Sequence, residues 1–309
     1  MTSYLLFVAT IAGVYALLGL GLVLIWGQTG LVNLGLAGLF ALGAYASALL
    51  TKNLPISIAL GWLAAIALTA LVGLALTWVT RSMRGDYLAI MTLSFAEVIR
   101  LMAVNEAWLT NSIDGISAIP APLRAALGDQ FNLFYFAMTW AVVGVAYLLV
   151  RRLIDAPFGR VLRAVRDDDQ VAAVAGKAVL GFKMKAFMVG SALAGLAGAL
   201  YAHFTAFIAP DLFTPLITIY IFLAVTAGGY TRPAGAIVGA LFVNFLLEGT
   251  RFGAEHISGL SGLQIASLRE IVIAVALIAL MHLSPQGLLP ERVRHARRLN
   301  RTRPNNESP

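Results

Sequence analysis

Long apolar runs separated by short polar segments dominate this chain of 309 residues. A helix that crosses a bilayer needs about 20 predominantly apolar residues. Nine runs approach this length: 4–26, 30–50, 56–79, 86–104, 131–150, 186–209, 212–228, 233–247 and 263–283. The pattern predicts an all-α fold, a polytopic transmembrane helical bundle of about nine spans, within a range of about eight to ten.

Some of these spans are predicted to be broken or short, because glycine and proline interrupt them. The second span is rich in glycine, and the eighth is short with Pro233 in its opening break. Backbone groups freed in this way either line a cavity or are covered by close packing through small residues. In the sixth span Gly190, Ala194, Gly198 and Ala202 recur every four residues. This spacing favours close packing there.

One long polar segment, 151–185, lies between the apolar runs and carries eight of the 22 Lys and Arg residues. Within it Phe158, Val161, Leu162 and Val165 follow a spacing of i, i+3, i+4 and i+7. That spacing predicts a short amphipathic helix. We expect its apolar stripe to lie on the membrane surface, on the ends of this chain's own helices, or on a soluble partner.

The composition excludes an ordinary soluble domain, since 60% of the residues are hydrophobic and only 12% are charged. The net charge of +7 is explained by the excess of basic residues in cytoplasmic loops of membrane proteins, so no nucleic-acid partner is predicted. Successive spans cross the membrane in alternating directions, which assigns each loop to one side. The side of 151–185 then holds Arg81, Arg84, Arg232 and six arginines after residue 290. The other side holds Lys52, Arg124 and Arg251. This asymmetry predicts a cytoplasmic 151–185 and a cytoplasmic C-terminus.

The chain is therefore predicted to divide into two parts. Residues 1–290 form a membrane-spanning permease domain with a cytoplasmic coupling loop at 151–185. Residues 291–309 form a basic, disordered cytoplasmic tail, which anionic lipid at the inner leaflet attracts.

Polar groups at membrane depth suggest a solute pathway. Glu97 and Arg100 lie three residues apart on one helix face, and each would cost about 2.5–3.5 kcal/mol at the bilayer centre by insertion scales. They are expected to face protein or water. With Asn33, Thr92 and Ser94 they are candidates for the translocation pathway; the alternative is a structural ion pair near the outer interface.

Motifs of catalysis are absent from the sequence, which has no HExxH, GxSxG or GxxxxGK[ST] pattern and no cysteine. A transport subunit rather than an enzyme is predicted, with no metal site. The acidic run 167–169 is interpreted as a solvated group of charges. His203 and His282 lie in apolar surroundings and are interpreted as satisfied core histidines.

Five stretches, in order, resemble the inner-membrane permease subunits of ABC importers for branched-chain amino acids, of the LivM type. They are Met83 to Ile90 (MRGDYLAI) with Thr92, Leu93, Glu97 and Arg100; Asn111 to Ile116 (NSIDGI); Ala156 to Arg160 (APFGR) with Arg163, Ala164 and Arg166; Lys185 to Leu200; and Ser284 to Pro290 (SPQGLLP). The resemblance covers most of the chain.

The resemblance implies a multi-pass protein of the bacterial inner membrane that pairs with a homologous second permease. It also implies two cytoplasmic ATPase subunits, which bind ATP and Mg²⁺ in place of this chain, and a periplasmic substrate-binding protein. The residues it assigns to ATPase coupling are Phe158, Gly159, Arg160, Arg163, Ala172, Ala173 and Gly176. The expected mechanism is alternating access, with the amphipathic helix near 158–176 acting as a lever whose apolar face is buried in a groove on the ATPase.

A stand-alone, ion-coupled secondary transporter is the alternative function. Broken helices fit that class, and Glu97 would then be the coupling carboxylate. The long polar loop and the ordered series of family motifs favour the ABC permease.

Overall fold

The structure is a computed structural model that describes residues 2–54, 56–83 and 85–254, and single positions or short stretches between 264 and 289. Its helices are α1 (Thr2–Leu22), α2 (Leu36–Asn53), α3 (Ile58–Val79), α4 (Asp86–Asn105), α5 (Ala107–Thr110), α6 (Arg124–Leu127), α7 (Phe131–Asp155), α8 (Pro157–Asp167), α9 (Asp169–Val174), α10 (Val179–Thr205), α11 (Pro215–Gly228) and α12 (Pro233–Ala254). A π-helical turn, Val23–Gly27, continues α1. Short 3-10 turns lie at Ser112–Asp114, Gly128–Gln130 and Pro210–Phe213. Two strands of two residues, β1 (Ile116–Ser117) and β2 (Phe207–Ile208), pair antiparallel.

Helices of membrane-spanning length confirm the predicted polytopic bundle. Six segments of the described chain are long and apolar enough to cross a bilayer: Ser3–Gly27, Ile58–Val79, Asp86–Asn105, Gly128–Asp155, Val179–Thr205 and Pro210–Gly228. The 18-residue α2 and the apolar part of α12, Pro233–Gly249, coincide with two further predicted spans. The ninth predicted run, 263–283, and the predicted tail lie outside the continuously described residues.

The centre of the bundle is formed by α1, α2 and α10. Most of the span that contains α1 is buried, at 83%, against 28% for α4. Helix α10 packs closely on α1, α2 and α3. A Cβ on Gly198 would overlap the Phe40 carbonyl of α2, and one on Gly190 would overlap Ile25. The small residues of α10 therefore serve close packing, as their spacing predicts.

The start of α2 is broken, as the glycines of the second span predict. Residues 30–35 are not helical, and the helix begins at Leu36, six residues after the predicted start of the span. Side chains distant in sequence accept from its free N–H groups: Thr92 Oγ1 accepts from Leu34 at 3.0 Å, and Thr218 Oγ1 accepts from Ala37 at 3.0 Å. Irregular backbone at membrane depth is tolerated where other parts of the protein form hydrogen bonds with its free N–H and C=O groups, as these side chains do.

The predicted break at the opening of the eighth span lies immediately before α12. Pro233 is the first residue of α12, a position that suits proline because the N–H it lacks would have no partner there. Residues 229–232 form the turn from α11. A Cβ on Gly239 would overlap the Ala224 carbonyl of α11, so the glycines here also allow two helices to touch.

The bundle has two ends with different loops. One end, which we call the α8 end, carries α8, α9 and the turn 229–232. Leu288 and Leu289 donate backbone hydrogen bonds to the C-terminal turn of α11 there, at 2.7 and 3.0 Å. The opposite end carries the segment 106–130. Strand β1 of this segment pairs with β2, which follows α10.

Candidate coupling surface and polar pathway

A sharp corner joins α7 to α8. The backbone at Ala156 is extended, and Pro157 begins the new helix. A Cβ on Gly159 would overlap the Ile154 carbonyl oxygen, so only glycine lets α8 fold back this closely on α7. Gly159 is buried and shapes the corner.

The apolar stripe of α8 is buried against this chain. Leu162 and Val165 are almost completely buried, and Phe158 stacks on Phe182 of α10 with ring centroids 5.6 Å apart. Of the three surfaces expected for this stripe, the chain's own helix ends are the one it occupies. The expectation that the apolar face of α8 lies in a groove on the ATPase is therefore wrong, because that face is already covered.

Arginines from α8 reach inward to the α8 end of the bundle. Arg163 Nη1 donates to Gln28 Oε1 at 3.4 Å and to the Ile154 carbonyl at 3.2 Å. Arg166 Nη1 donates to the Gly27 carbonyl at 2.9 Å. Arg160, in contrast, is exposed. Helix α8 is thus fixed to the bundle by both apolar and charged side chains.

Helix α9 follows α8 after a break at Asp168, so the predicted lever is two helices rather than one. Asp168 Oδ1 accepts from the backbone N–H groups of Gln170 at 2.8 Å and Val171 at 3.0 Å, which caps α9. At the other end, Gly176 donates to the Ala173 carbonyl and Lys177 donates to the Ala172 carbonyl. This paired bonding with Gly176 at φ +75° is a Schellman motif, which requires a residue that tolerates positive φ.

The outer surface of α9 is apolar and exposed. Val174 is 90% exposed and Val171 is 64% exposed, whereas Ala172 is buried. Ala173 and Gly176 are exposed beside the valines. The two alanines predicted to act together therefore face opposite ways, and only Ala173 belongs to the exposed surface.

The acidic run 167–169 has three different environments. Asp167 is mostly exposed beside Arg166 at 3.4 Å, and Asp168 is the cap of α9. Asp169 forms an ion pair with Lys183 at 3.2 Å in which both side chains are largely buried. The solvated interpretation fits Asp167 best. Among the described residues, no cluster of His, Asp and Glu has the arrangement of a metal site.

The predicted pathway residues fall into two groups. Asn33 and Thr92 are completely buried inside the chain, where they accept backbone N–H groups at the broken start of α2. Ser94 is exposed in an open groove on α4. Glu97 and Arg100 lie one turn further along, partly exposed and joined at 2.6 Å.

Arg100 also faces the segment that leads into α11. Its Nη1 atom lies 3.8 Å from Asp211 Oδ1. Asp211 belongs to the 3-10 turn Pro210–Phe213, whose Phe213 packs on Phe40 of α2. The ion pair and this contact link α4 to a second irregular segment.

His203 is a satisfied core histidine, as predicted. One ring nitrogen lies 2.8 Å from Ser47 Oγ, and the other lies 2.5 Å from the Pro120 carbonyl oxygen. His282 is exposed, so the same interpretation is wrong for that residue.

Comparison with known proteins decides the family. The model of the family described as "Branched-chain amino acid transport system / permease component" matches residues 4–281. The chain belongs to this permease family.

Three relatives illustrate the range of the family. The permease is 31% identical to the high-affinity branched-chain amino acid transport system permease protein LivM of Escherichia coli K12, over 92% of this chain and 69% of that protein. It is 24% identical to LivH of the same strain, over 91% and 92% of the two chains. The guanosine ABC transporter permease protein NupQ of Bacillus subtilis is 28% identical over 71% and 72%. No solved structure matches the permease.

The sequence predicts no role for Gln28, Val171 or Val174. The exposure of the two valines depends on the way α9 turns after Asp168. Gln28 stood out in the sequence only as a polar residue within an apolar stretch. Its two hydrogen-bond partners lie 135 and 203 residues away along the chain.

Proposed function

We propose that this chain is the transmembrane permease subunit of an ATP-driven importer for branched-chain or related hydrophobic amino acids. It works by alternating access coupled to two cytoplasmic ATPase subunits, which bind the ATP and Mg²⁺. The observation that carries the proposal is the exposed apolar surface of α9, at the tip of the one long polar loop of a membrane permease.

The α9 surface consists of Val171, Ala173, Val174 and Gly176. Exposed apolar residues that lie next to one another are typical of a protein contact. The anchoring of α8 to the bundle by Arg163 and Arg166 supports the mechanical part of the proposal, because force applied to α9 reaches the transmembrane helices through α8.

The two ends of the bundle then face different compartments. The α8 end faces the cytoplasm, and Leu288 and Leu289 lie at this end because they pair with the end of α11. The opposite end, with 106–130, faces the substrate-binding protein outside the membrane. The basic residues of 151–185 support this orientation.

A homologous second permease completes the pathway. Similarity to both LivM and LivH of one organism supports such a pairing. On α4, Ser94 and Glu97 are polar groups on the outer surface of a spanning helix, which are costly against lipid and are stabilised by protein or water. We assign this face of α4 to the pathway between the two permeases. Asn33 and Thr92 support it from behind by holding the broken start of α2.

The names of the relatives support an amino-acid substrate without excluding others, because one of them is a guanosine permease. Much of the choice of substrate is expected to reside in the binding protein. A competition assay with leucine, isoleucine, valine and guanosine in the assembled transporter decides between these classes of solute.

The test compares two exposed apolar residues at opposite ends. Val174→Asp places a carboxylate in the α9 surface, and Ile113→Asp makes the same kind of change in the 3-10 turn at the opposite end, where Ile113 is 66% exposed. We expect both variants to insert in the membrane. Only Val174→Asp is expected to lose the ATPase subunits on purification, and it should lose ATP-driven uptake in vesicles with them.

Retention of the ATPase by Val174→Asp would contradict the coupling assignment. Uptake by the chain alone, driven by an ion gradient and independent of ATP, would favour the secondary-transporter alternative.

A further inference from the structure

A buried amide joins two separate elements at the α8 end. Gln28 is 1% exposed and follows the π-helical turn at the end of α1. Its Oε1 atom accepts from Arg163 of α8 at 3.4 Å, and its Nε2 atom donates to the Thr231 carbonyl at 2.8 Å. Thr231 lies in the turn between α11 and α12. One side chain thus uses both ends of its amide to bridge α8 and that turn.

The backbone around Gln28 is in close contact with the same two elements. A Cβ on Gly27 would overlap the Tyr230 carbonyl oxygen, so the segment touches the 229–232 turn directly. Trp26 stacks on Tyr230 with centroids 5.0 Å apart. On the other side, Gly30 lies against Arg166 of α8. Residues 26–30 therefore lie between α8 and the turn.

The helix that leads to Gln28 ends in an uncommon turn. Val23–Gly27 is π-helical, and the Gln28 N–H donates to the Val23 carbonyl, five residues back. Single π turns are uncommon within α-helices and are found often at functional sites.

We propose that Gln28 is a positioning residue that makes the α11–α12 turn move together with α8. The inference rests on the proposed function, since it takes the ATPase to move α8 through α9. The bridge Arg163–Gln28–Thr231 transmits that movement to α11 and α12, the two helices that leave the turn. Coupling of this kind needs a chain of contacts with definite partners, and the amide supplies one on each side.

The experiment uses the complete transporter in vesicles and measures solute taken up per ATP hydrolysed. Gln28→Met keeps a similar volume and removes both hydrogen bonds. Asn244→Leu is the matched control, because Asn244 is also a buried amide and its Nδ2 donates to the Val8 carbonyl of another helix at 2.9 Å, outside the α8 contacts. We expect Gln28→Met to lower uptake per ATP by roughly 2- to 30-fold, the usual range for mutations that weaken coupling. The Asn244→Leu ratio is expected to stay at the wild-type value.

A double-mutant cycle separates coupling from general weakening. Arg163→Met removes the hydrogen bond on the α8 side of the bridge. Because Arg163 is only half-buried, this variant can test the bridge alone if Gln28→Met fails to assemble. If Gln28 and Arg163 act through the same bridge, uptake per ATP in the double variant is no lower than in the more affected single variant. The proposal would be overturned if the fold-losses of uptake per ATP in the two single variants multiplied in the double variant. An unchanged uptake per ATP in either single variant would also overturn it.

A distance measurement gives an independent readout. The chain has no cysteine, so spin labels at Ala164→Cys on α8 and Arg232→Cys in the turn are the only ones this subunit carries. We expect one distance between them with and without ATP in the wild-type background, and a distance that depends on ATP with Gln28→Met. A distance that changes with ATP in the wild type contradicts the proposal. Failure of the proposed function appears separately, as absence of ATP-driven uptake by the wild-type complex.

Discussion

Helices α8 and α9 are neighbours in one polar loop, yet they use their apolar residues in opposite ways. The apolar residues of α8 are covered by the bundle, with Leu162 fully buried, whereas Val174 of α9 is 90% exposed. Helix α8 is anchored to the bundle, and under the proposed function α9 is the contact surface for the ATPase. A lever needs both functions, and the break at Asp168 lets two short helices point their apolar sides in different directions.

The largest expected difference is in stability. Leu162→Ala removes a buried side chain from the anchor and should lower the free energy of unfolding by about 2–5 kcal/mol. Val174→Ala, at an exposed position, should change it by no more than about 0.5 kcal/mol. Thermal unfolding of the purified chain in detergent measures both. Equal losses would show that α9 is as well packed as α8.

The next prediction concerns the turn that ends α9. A Cβ at Gly176 meets nothing within 4 Å, so a substitution there causes no clash, but the φ of +75° is unfavourable for residues other than glycine and asparagine. Gly176→Val is expected to distort the Schellman motif at a cost of about 1–2 kcal/mol or more and to weaken ATPase binding by roughly tenfold. Membrane insertion should remain intact and uptake should be lost.

Gly176→Asn is the control for that variant, since asparagine tolerates the left-handed conformation. We expect it to keep most of the ATPase affinity, measured by titration of the ATPase subunits onto the purified permease. If asparagine and valine weaken binding equally, the ATPase contact excludes any side chain at this position, and the conformational explanation is wrong.

The smallest predicted effect is at the N-terminal end of α9. Asp168→Ala removes the cap and should destabilise this helix by about 1 kcal/mol. Asp168→Asn retains an acceptor oxygen and should have little effect. Hydrogen exchange of the α9 amides measures the difference, with faster exchange expected only in the alanine variant. Equal exchange rates in both would show that contacts other than the cap hold α9.

The sequence predicts the transmembrane spans well because the bilayer leaves few alternatives to a helix. It predicts the start of α2 less well, since Thr92 and Thr218 accept the free N–H groups there and both are distant in sequence. The stripe of α8 is also visible from its spacing, but the surface that covers it is not. Periodicity shows which residues share a face and says nothing about the partner of that face.

The candidate coupling residues show the same limit. The family motif indicates Ala172 and Ala173 together, but only the rotation of α9 after its cap decides that one is buried and the other exposed. Gly159 belongs to the motif and shapes the corner with α7. Motif matching therefore indicates the loop, whereas which of its residues are buried and which are exposed is known only from the structure.

Cross-linking is the most direct test of the difference between the two helices. Because the chain has no cysteine, single cysteines at Val174 of α9 and at Val165 of α8 can each carry a short photo-reactive group in the assembled transporter. We expect cross-links to the ATPase from position 174 and to this chain's own helices from position 165. Cross-links to the ATPase from position 165, with none from 174, would contradict it.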